Sequence, residues 1–197
     1  VRGFDGPDAA GIYYNAAALG YVPSYALGAA NAVIMPKVAR AWAEGRVDDV
    51  HAVLGRSLQF ALLGAAPAIV GVMVAYRVAV GFGWAFAEGT PILGVLMVGQ
   101  AINVACGSVG VTLLMCGYER LVAGSYAVSL AVNTIVSMLL VPILGPLGAA
   151  VGTALALSIW NLWLVANLRA RIGVDTSVLR FGLGRPVLSA PGPNRSS

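Results

Sequence analysis

Charge is scarce in this sequence. Aspartate, glutamate, lysine and arginine together make up 10% of its 197 residues, whereas soluble domains carry about a quarter. The gaps say more than the total. None of the four residue types occurs in residues 9–36, 57–76, 89–118 or 121–168. Stretches of that length have no polar face to turn toward water, which excludes an ordinary soluble domain. Cysteine is almost absent as well. Cys106 and Cys116, placed on one helix, stand roughly 15 Å apart along its axis, beyond the reach of a disulfide, and read as small buried hydrophobes. His51 is the single histidine, and no HExxH, CxxC, Walker or Ser–His–Asp arrangement occurs. No carboxylate pair falls inside an apolar run, and the adjacent Asp48 and Asp49 fit a solvated helix face. There is thus no catalytic residue, metal ligand set or cofactor motif to assign, and the chain reads as a non-enzyme.

What is present is apolar: 59% of the residues are hydrophobic and the mean hydropathy is +0.84. Each uncharged run reaches the roughly 20 residues that cross a ~30 Å hydrocarbon layer as a helix. Unbroken runs argue against a β-barrel, whose strands show short alternating segments. The expected fold is all-α, a polytopic transmembrane bundle with spans at about 12–35, 57–80, 91–116, 121–144 and 147–168. A short outer segment (1–11) precedes it and a basic tail (169–197) follows. The last uncharged run holds two spans, and Pro142, Gly145, Pro146 and Gly148 mark a tight turn between them.

Five spans put the two ends on opposite sides. With the N-terminus outside, the inner segments hold Lys37, Arg40, Arg46, Arg56, Arg120, Arg169, Arg171, Arg180, Arg185 and Arg195, against Arg2 and Arg77 outside. Cytoplasmic loops are enriched in Lys and Arg, so the C-terminus is expected in the cytoplasm. This asymmetry also accounts for the net charge of +4 without a nucleic-acid partner. No cationic segment precedes the first apolar run, which therefore reads as a span and not as a signal peptide. The opening at Val1 fits either a piece of a longer protein or a non-standard start codon.

Residues 37–56 place Val38, Ala41 and Trp42 on one helical face and charges on the other. They fit a helix along the inner leaflet or, equally, a solvated loop helix. Residues 81–90 form an outer connection with aromatics at interface depth, and the Gly/Pro/Ser-rich tail from Gly182 is expected to be disordered.

Polar residues within the spans recur at helical spacing. Ser125, Ser129, Asn133 and Ser137 form one stripe, and Gln100, Asn103, Gly107 and Gly110 form another. The last span adds Thr153, Ser158 and Asn161, and the first adds Tyr14, Tyr21, Tyr25 and Asn31. Amides exposed to lipid are costly, so these faces either line a watery path or join helices to one another. Gly148, Gly152 and Ala156 make a small-residue packing ridge. Arg77, near the outer end of the second span, either snorkels to the surface or meets an anionic phosphate.

Four segments carry a family resemblance: AGIYYNAAAL (10–19), IMPKVARAWAEG (34–45), VGFGWAFAEGTPILGVLMVGQ (80–100) and LVPILGPLGAAVGTALA (140–156). In order and spacing they resemble the C-terminal part of the polysaccharide-biosynthesis and lipid-linked-oligosaccharide flippases. That superfamily also contains the lipid II flippases and the multidrug and toxin extruders. The resemblance covers residues 10–168 and implies most of one six-helix lobe of a two-lobed, alternating-access transporter. Its first helix and the partner N-terminal lobe are missing from this chain. The implied function is translocation of a lipid-linked saccharide, such as an undecaprenyl-linked one, across a bacterial inner membrane. The implied partners are that substrate, membrane lipids and the N-terminal lobe. The transport-path candidates are Asn31, Arg77, Gln100, Asn103, Ser125, Ser129, Asn133, Ser137 and Asn161. Two alternatives stand beside this reading: a cation-coupled multidrug extruder of the same architecture, and a non-transporting membrane anchor or subunit.

Overall fold

The structure, a computed structural model, describes residues 7–82 and 89–173. Those residues form seven helices and no strand: α1 (Pro7–Gly20), α2 (Val22–Ala43), α3 (Val47–Gly81), α4 (Gly89–Cys106), α5 (Val109–Met115), α6 (Glu119–Leu144) and α7 (Pro146–Ile172). Five segments are long and apolar enough to cross a membrane: Ala10–Ala43, Val47–Gly81, Gly89–Cys106, Glu119–Leu144 and Pro146–Ile172. The chain is a multi-pass, all-α membrane bundle.

Its surface is the inverse of a soluble protein's. Phe60, Leu63 and Val70 on α3 and Leu130, Met138 and Ile143 on α6 are exposed. Contiguous exposed apolar surface of this kind is unsustainable in water and is suited to lipid. α7 and α4 sit at the centre, each touching several other helices, while α6 packs on α7 and α2 packs on α3. Three apolar clusters lie along the bundle. One, with Val38, Leu54, Leu113 and Leu168, fills the end where α2 meets α3 and α5 meets α6. A second, with Ala16, Tyr76, Leu93 and Ala150, fills the opposite end. A small third, with Leu27, Ala61, Ala65 and Val104, lies between them.

The helix boundaries depart from the sequence reading in five places. First, residues 37–56 are not a separate surface helix. α2 continues to Ala43 and α3 starts at Val47, so the charges lie on the prolonged ends of two spanning helices and, for Glu44 and Arg46, in the turn between them. The turn closes in a Schellman pattern: Arg46 N–H donates to Ala41 O at 2.9 Å, Gly45 N–H donates to Trp42 O at 3.0 Å, and Gly45 is left-handed. Second, the expected span 91–116 is broken at Gly107, whose φ of 71° ends α4. Seven residues of α5 follow as a half-helix.

Third, the turn between α6 and α7 is Gly145 alone. Pro142 lies inside α6, and Pro146 opens α7, where its missing N–H has no intrahelical partner to lose. Fourth, the first span is interrupted at Tyr21, which separates α1 from α2. Pro23 there lacks the amide that would have bonded the Leu19 carbonyl. Fifth, the helix expected to stop near residue 168 runs on to Ile172. Residues 83–88, within the connection expected outside, and the tail beyond Gly173, including the segment expected to be disordered, lie outside the described residues.

Seven of the eight described cations, Lys37, Arg40, Arg46, Arg56, Arg120, Arg169 and Arg171, stand toward the α2–α3 and α5–α6 turns. Only Arg77 lies toward the other end. At the cation-rich end Arg171 stacks over the Tyr118 ring, 5.6 Å from its centroid, tying the end of α7 to the α5–α6 turn.

Candidate functional site

The amides of the middle spans converge. Gln100 and Asn103, three residues apart, share one face of α4, and Asn103 Nδ2 donates to Gln100 Oε1 at 3.2 Å. Ser24 of α2 donates its hydroxyl to the same oxygen at 2.6 Å. Asn161 of α7 donates from Nδ2 to Asn103 Oδ1 at 3.0 Å and to the Leu157 carbonyl at 2.9 Å. One hydrogen-bonded chain thus crosses α2, α4 and α7 at mid-bundle. Gln100 and Asn161 are buried, so in the low-dielectric interior each of these bonds satisfies a group that would be costly to leave unpaired.

Below this chain, toward the cation-rich end, α4 stops. Ser108, next to the break, pairs with Ser57 of α3 at 3.2 Å, and Thr112 returns its hydroxyl to the Ser108 carbonyl at 2.8 Å. The missing helical turn opens a cleft of about 410 Å³, within the usual range of small-molecule sites. Asn31, Asn103, Asn161, Tyr126, Trp160 and Glu119 supply its polar and aromatic wall, with Gly107 and Gly110 at the break. Tyr126 and Trp160 meet with ring centroids 4.7 Å apart, bridging α6 to α7. Two buried polar atoms on this wall have no hydrogen-bond partner: Asn31 Oδ1 and Trp160 Nε1. One is an acceptor and the other a donor. Buried polar groups in native proteins are nearly always partnered, and these two are exceptions on residues that line the cleft.

The serine stripe of α6 lies elsewhere. Ser125 turns back on the Val122 carbonyl at 2.6 Å. Ser129 reaches the Ala156 carbonyl of α7 at 3.2 Å. Asn133 accepts from Ser137 at 3.2 Å and, at a long 3.5 Å, from Thr153, which also meets Tyr13 at 3.4 Å. A Cβ at Gly152 would clash with the Ser137 hydroxyl, and one at Gly148 would stand 2.5 Å from the Leu140 carbonyl carbon. Ser129, Asn133 and Ser137 with the small-residue ridge form the seam between α6 and α7 and do not line the cleft.

Of the expected path residues, the structure gathers Asn31, Gln100, Asn103 and Asn161 at the cleft or in the chain above it. Ser125, Ser129, Asn133 and Ser137 belong to α6 and its seam. Arg77 is exposed on α3, apart from the cleft. Tyr14, Tyr21 and Tyr25 are also exposed. Asn31 follows Tyr25 by six residues, which at 3.6 residues per turn rotates it to another face.

Trp160, Tyr126, Ser24 and Glu119 escaped the sequence reading. One signal was available for Trp160: it lies midway along α7, whereas membrane tryptophans favour the interfaces. Among the described residues, no group of three or more His, Cys, Asp or Glu is placed to hold a metal. No family model, curated protein or solved structure matches the chain.

Proposed function

We propose that this chain is one lobe of an exporter that passes the polar head group of a lipid-linked saccharide across a bacterial inner membrane by alternating access. The observation that carries the proposal is the cleft at the α4–α5 break. It combines three carboxamides with a Trp–Tyr pair. A sugar offers the complement: hydroxyls that both donate and accept, and C–H faces that lie against aromatic rings. The lipid tail would remain outside, against the apolar surfaces of α3 and α6. A polar path built at a discontinuous helix agrees with the way transporters satisfy irregular backbone at membrane depth. The role is transport, with no bond made or broken in the substrate. By the positive-inside tendency, the cation-rich end and the C-terminus face the cytoplasm.

Glu119, the one carboxylate on the cleft wall, favours a second reading, a cation-coupled extruder of the same architecture. A single titration separates the two. With Trp42, Trp84 and Trp163 replaced by phenylalanine, Trp160 is the sole tryptophan and reports on the cleft directly. Undecaprenyl-diphosphate-linked saccharide should change its emission saturably, and the same lipid diphosphate without sugar should not. Asn31→Ala or Asn161→Ala should weaken binding roughly three- to tenfold, the effect of one lost hydrogen bond. A response to lipophilic organic cations that Glu119→Gln abolishes, with none to saccharide, would favour the extruder. No response to either would leave a membrane anchor.

A further inference from the structure

A second cavity, unrelated to the cleft, runs between α2 and α3. It holds about 760 Å³ and faces outward, where Phe60 and Val33 are exposed. On α2 it is lined by Ala26, Ala29, Ala30, Val33, Ile34 and Lys37, the i, i+3, i+4, i+7 pattern of one helical face. From Ala26 to Lys37 it extends about 16 Å at 1.5 Å per residue. α3 supplies Val53, Arg56, Ser57 and Phe60.

The groove is apolar along its length and cationic at one end. Toward the bundle's middle it is shut by a close approach of the two helices: a Cβ on Gly64 would lie 2.9 Å from the Ala26 Cβ. Toward the α2–α3 turn it ends at Lys37 and Arg56.

These two cations differ from their neighbours. Arg40 and Arg46 are held by Glu44 and Asp49 in the turn. Among the described residues, Lys37 and Arg56 have no carboxylate within ion-pair distance, and both are exposed. They sit about two turns inside their helices, and long cationic side chains at such positions reach to head-group depth.

We propose that this groove is a binding site for one anionic phospholipid of the leaflet at the cation-rich end. Lys37 and Arg56 clasp its phosphate, and one acyl chain lies along the small-residue face of α2. The alanines leave room for the chain, Phe60 and Val53 form its opposite wall, and the Ala26–Gly64 contact sets its depth. Basic pockets between spanning helices at a cytoplasmic surface recognise anionic head groups in this way. The site is independent of the saccharide reading, because none of its residues lines the cleft.

Native mass spectrometry and thermal unfolding of the purified protein in neutral detergent test it, with phosphatidylglycerol, phosphatidylcholine of the same acyl chains, and inorganic phosphate as separate additions. One phosphatidylglycerol should be retained per chain and should raise Tm, phosphatidylcholine should do so much less, and inorganic phosphate should have no effect. Lys37→Gln and Arg56→Gln should each weaken phosphatidylglycerol binding about fivefold, as expected for ~1 kcal/mol per cation, without lowering Tm in detergent alone. Ala30→Trp, which fills the groove and leaves both cations, should abolish retention of the lipid. Equal stabilisation by the two lipids would overturn the proposal. So would full activity of inorganic phosphate, which would indicate an anion site without a lipid groove. Unchanged selectivity in the Lys37→Gln/Arg56→Gln double variant, or retention in Ala30→Trp, would contradict it equally.

Discussion

Gly148 and Gly152 show how much of the bundle rests on single atoms. The α6–α7 contact is the most extensive among the described helices, and it forms because α7 presents no side chain at these two positions. In lipid, helices associate through close packing and hydrogen bonds, since burial from water contributes nothing between them. Gly148→Ala puts a methyl group 2.5 Å from a backbone carbon of α6, which cannot rotate away. It should destabilise the protein by about 1–3 kcal/mol, the usual range for overpacking, as read by thermal or denaturant unfolding in detergent. Gly28→Ala and Gly94→Ala meet nothing within 4 Å and should leave stability unchanged or slightly raised. Asn161 gives a different signature. Asn161→Leu loses the bonds to Asn103 and Leu157, and membrane hydrogen bonds average about 0.6 kcal/mol each. Stability should therefore fall by only about 1 kcal/mol, while saccharide binding falls much further.

These residues were unequally legible in the sequence. The four-residue period of the α6 serines identifies a polar face but cannot say whether water or another helix lies against it. Gly152 opposite Ser137 decides that question, and the pairing is non-local. Asn31, Gln100, Asn103 and Asn161 stand out in the sequence because a carboxamide within an apolar run is costly to expose to lipid. Trp160 was hidden by its hydrophobicity.

At the scale of helices, the breaks matter more than the spans. A hydropathy window passes over Gly107 because no charge occurs from 89 to 118, so α4 and α5 read as one span. The left-handed backbone there is inexpensive only for glycine. Gly107→Ala should cost about 1–2 kcal/mol and narrow the cleft that the break opens. Weakened saccharide binding beyond the loss of stability would identify the break as functional. The α2–α3 turn was misread for a related reason. Amphipathic spacing from 37 to 56 continues across the turn, although Glu44, Gly45 and Arg46 interrupt the helix.

That turn carries a pH dependence. Hydrogen bonds from Arg40 and then Arg46 hold the Glu44 carboxyl below the ordinary glutamate range. A lowered folded-state pKa means the contribution is complete above the unfolded value and is lost as pH falls through the folded one. Acidification below the ordinary glutamate range should therefore lower Tm in the wild type and do so less in Glu44→Gln. The difference should shrink in high salt, because the groups are exposed.

At the scale of the whole molecule, lipid makes the fold class easy to read and the function hard. Every spanning backbone must satisfy its own hydrogen bonds, so long uncharged runs leave helices as the only outcome, and five were countable from composition. The cation asymmetry predicts the topology. Reporter fusions after Gly173 should report cytoplasm and fusions within 83–88 the outside, and a reversed pattern would refute the orientation. How the helices associate is set by small residues and a few amides, a code too sparse to read without coordinates.

The central claim is that the cleft at the α4–α5 break, and not the α6 stripe, is the substrate's path. Substituted-cysteine accessibility tests it most directly, in a background with Cys106→Ala and Cys116→Ala. The account predicts that Asn31→Cys and Gly110→Cys react with a charged, membrane-impermeant thiol reagent and are protected by lipid-linked saccharide. It predicts that Ser129→Cys and Asn133→Cys stay unreactive. Reactive stripe positions with an inert cleft, or cleft labelling that saccharide leaves unchanged, would contradict it.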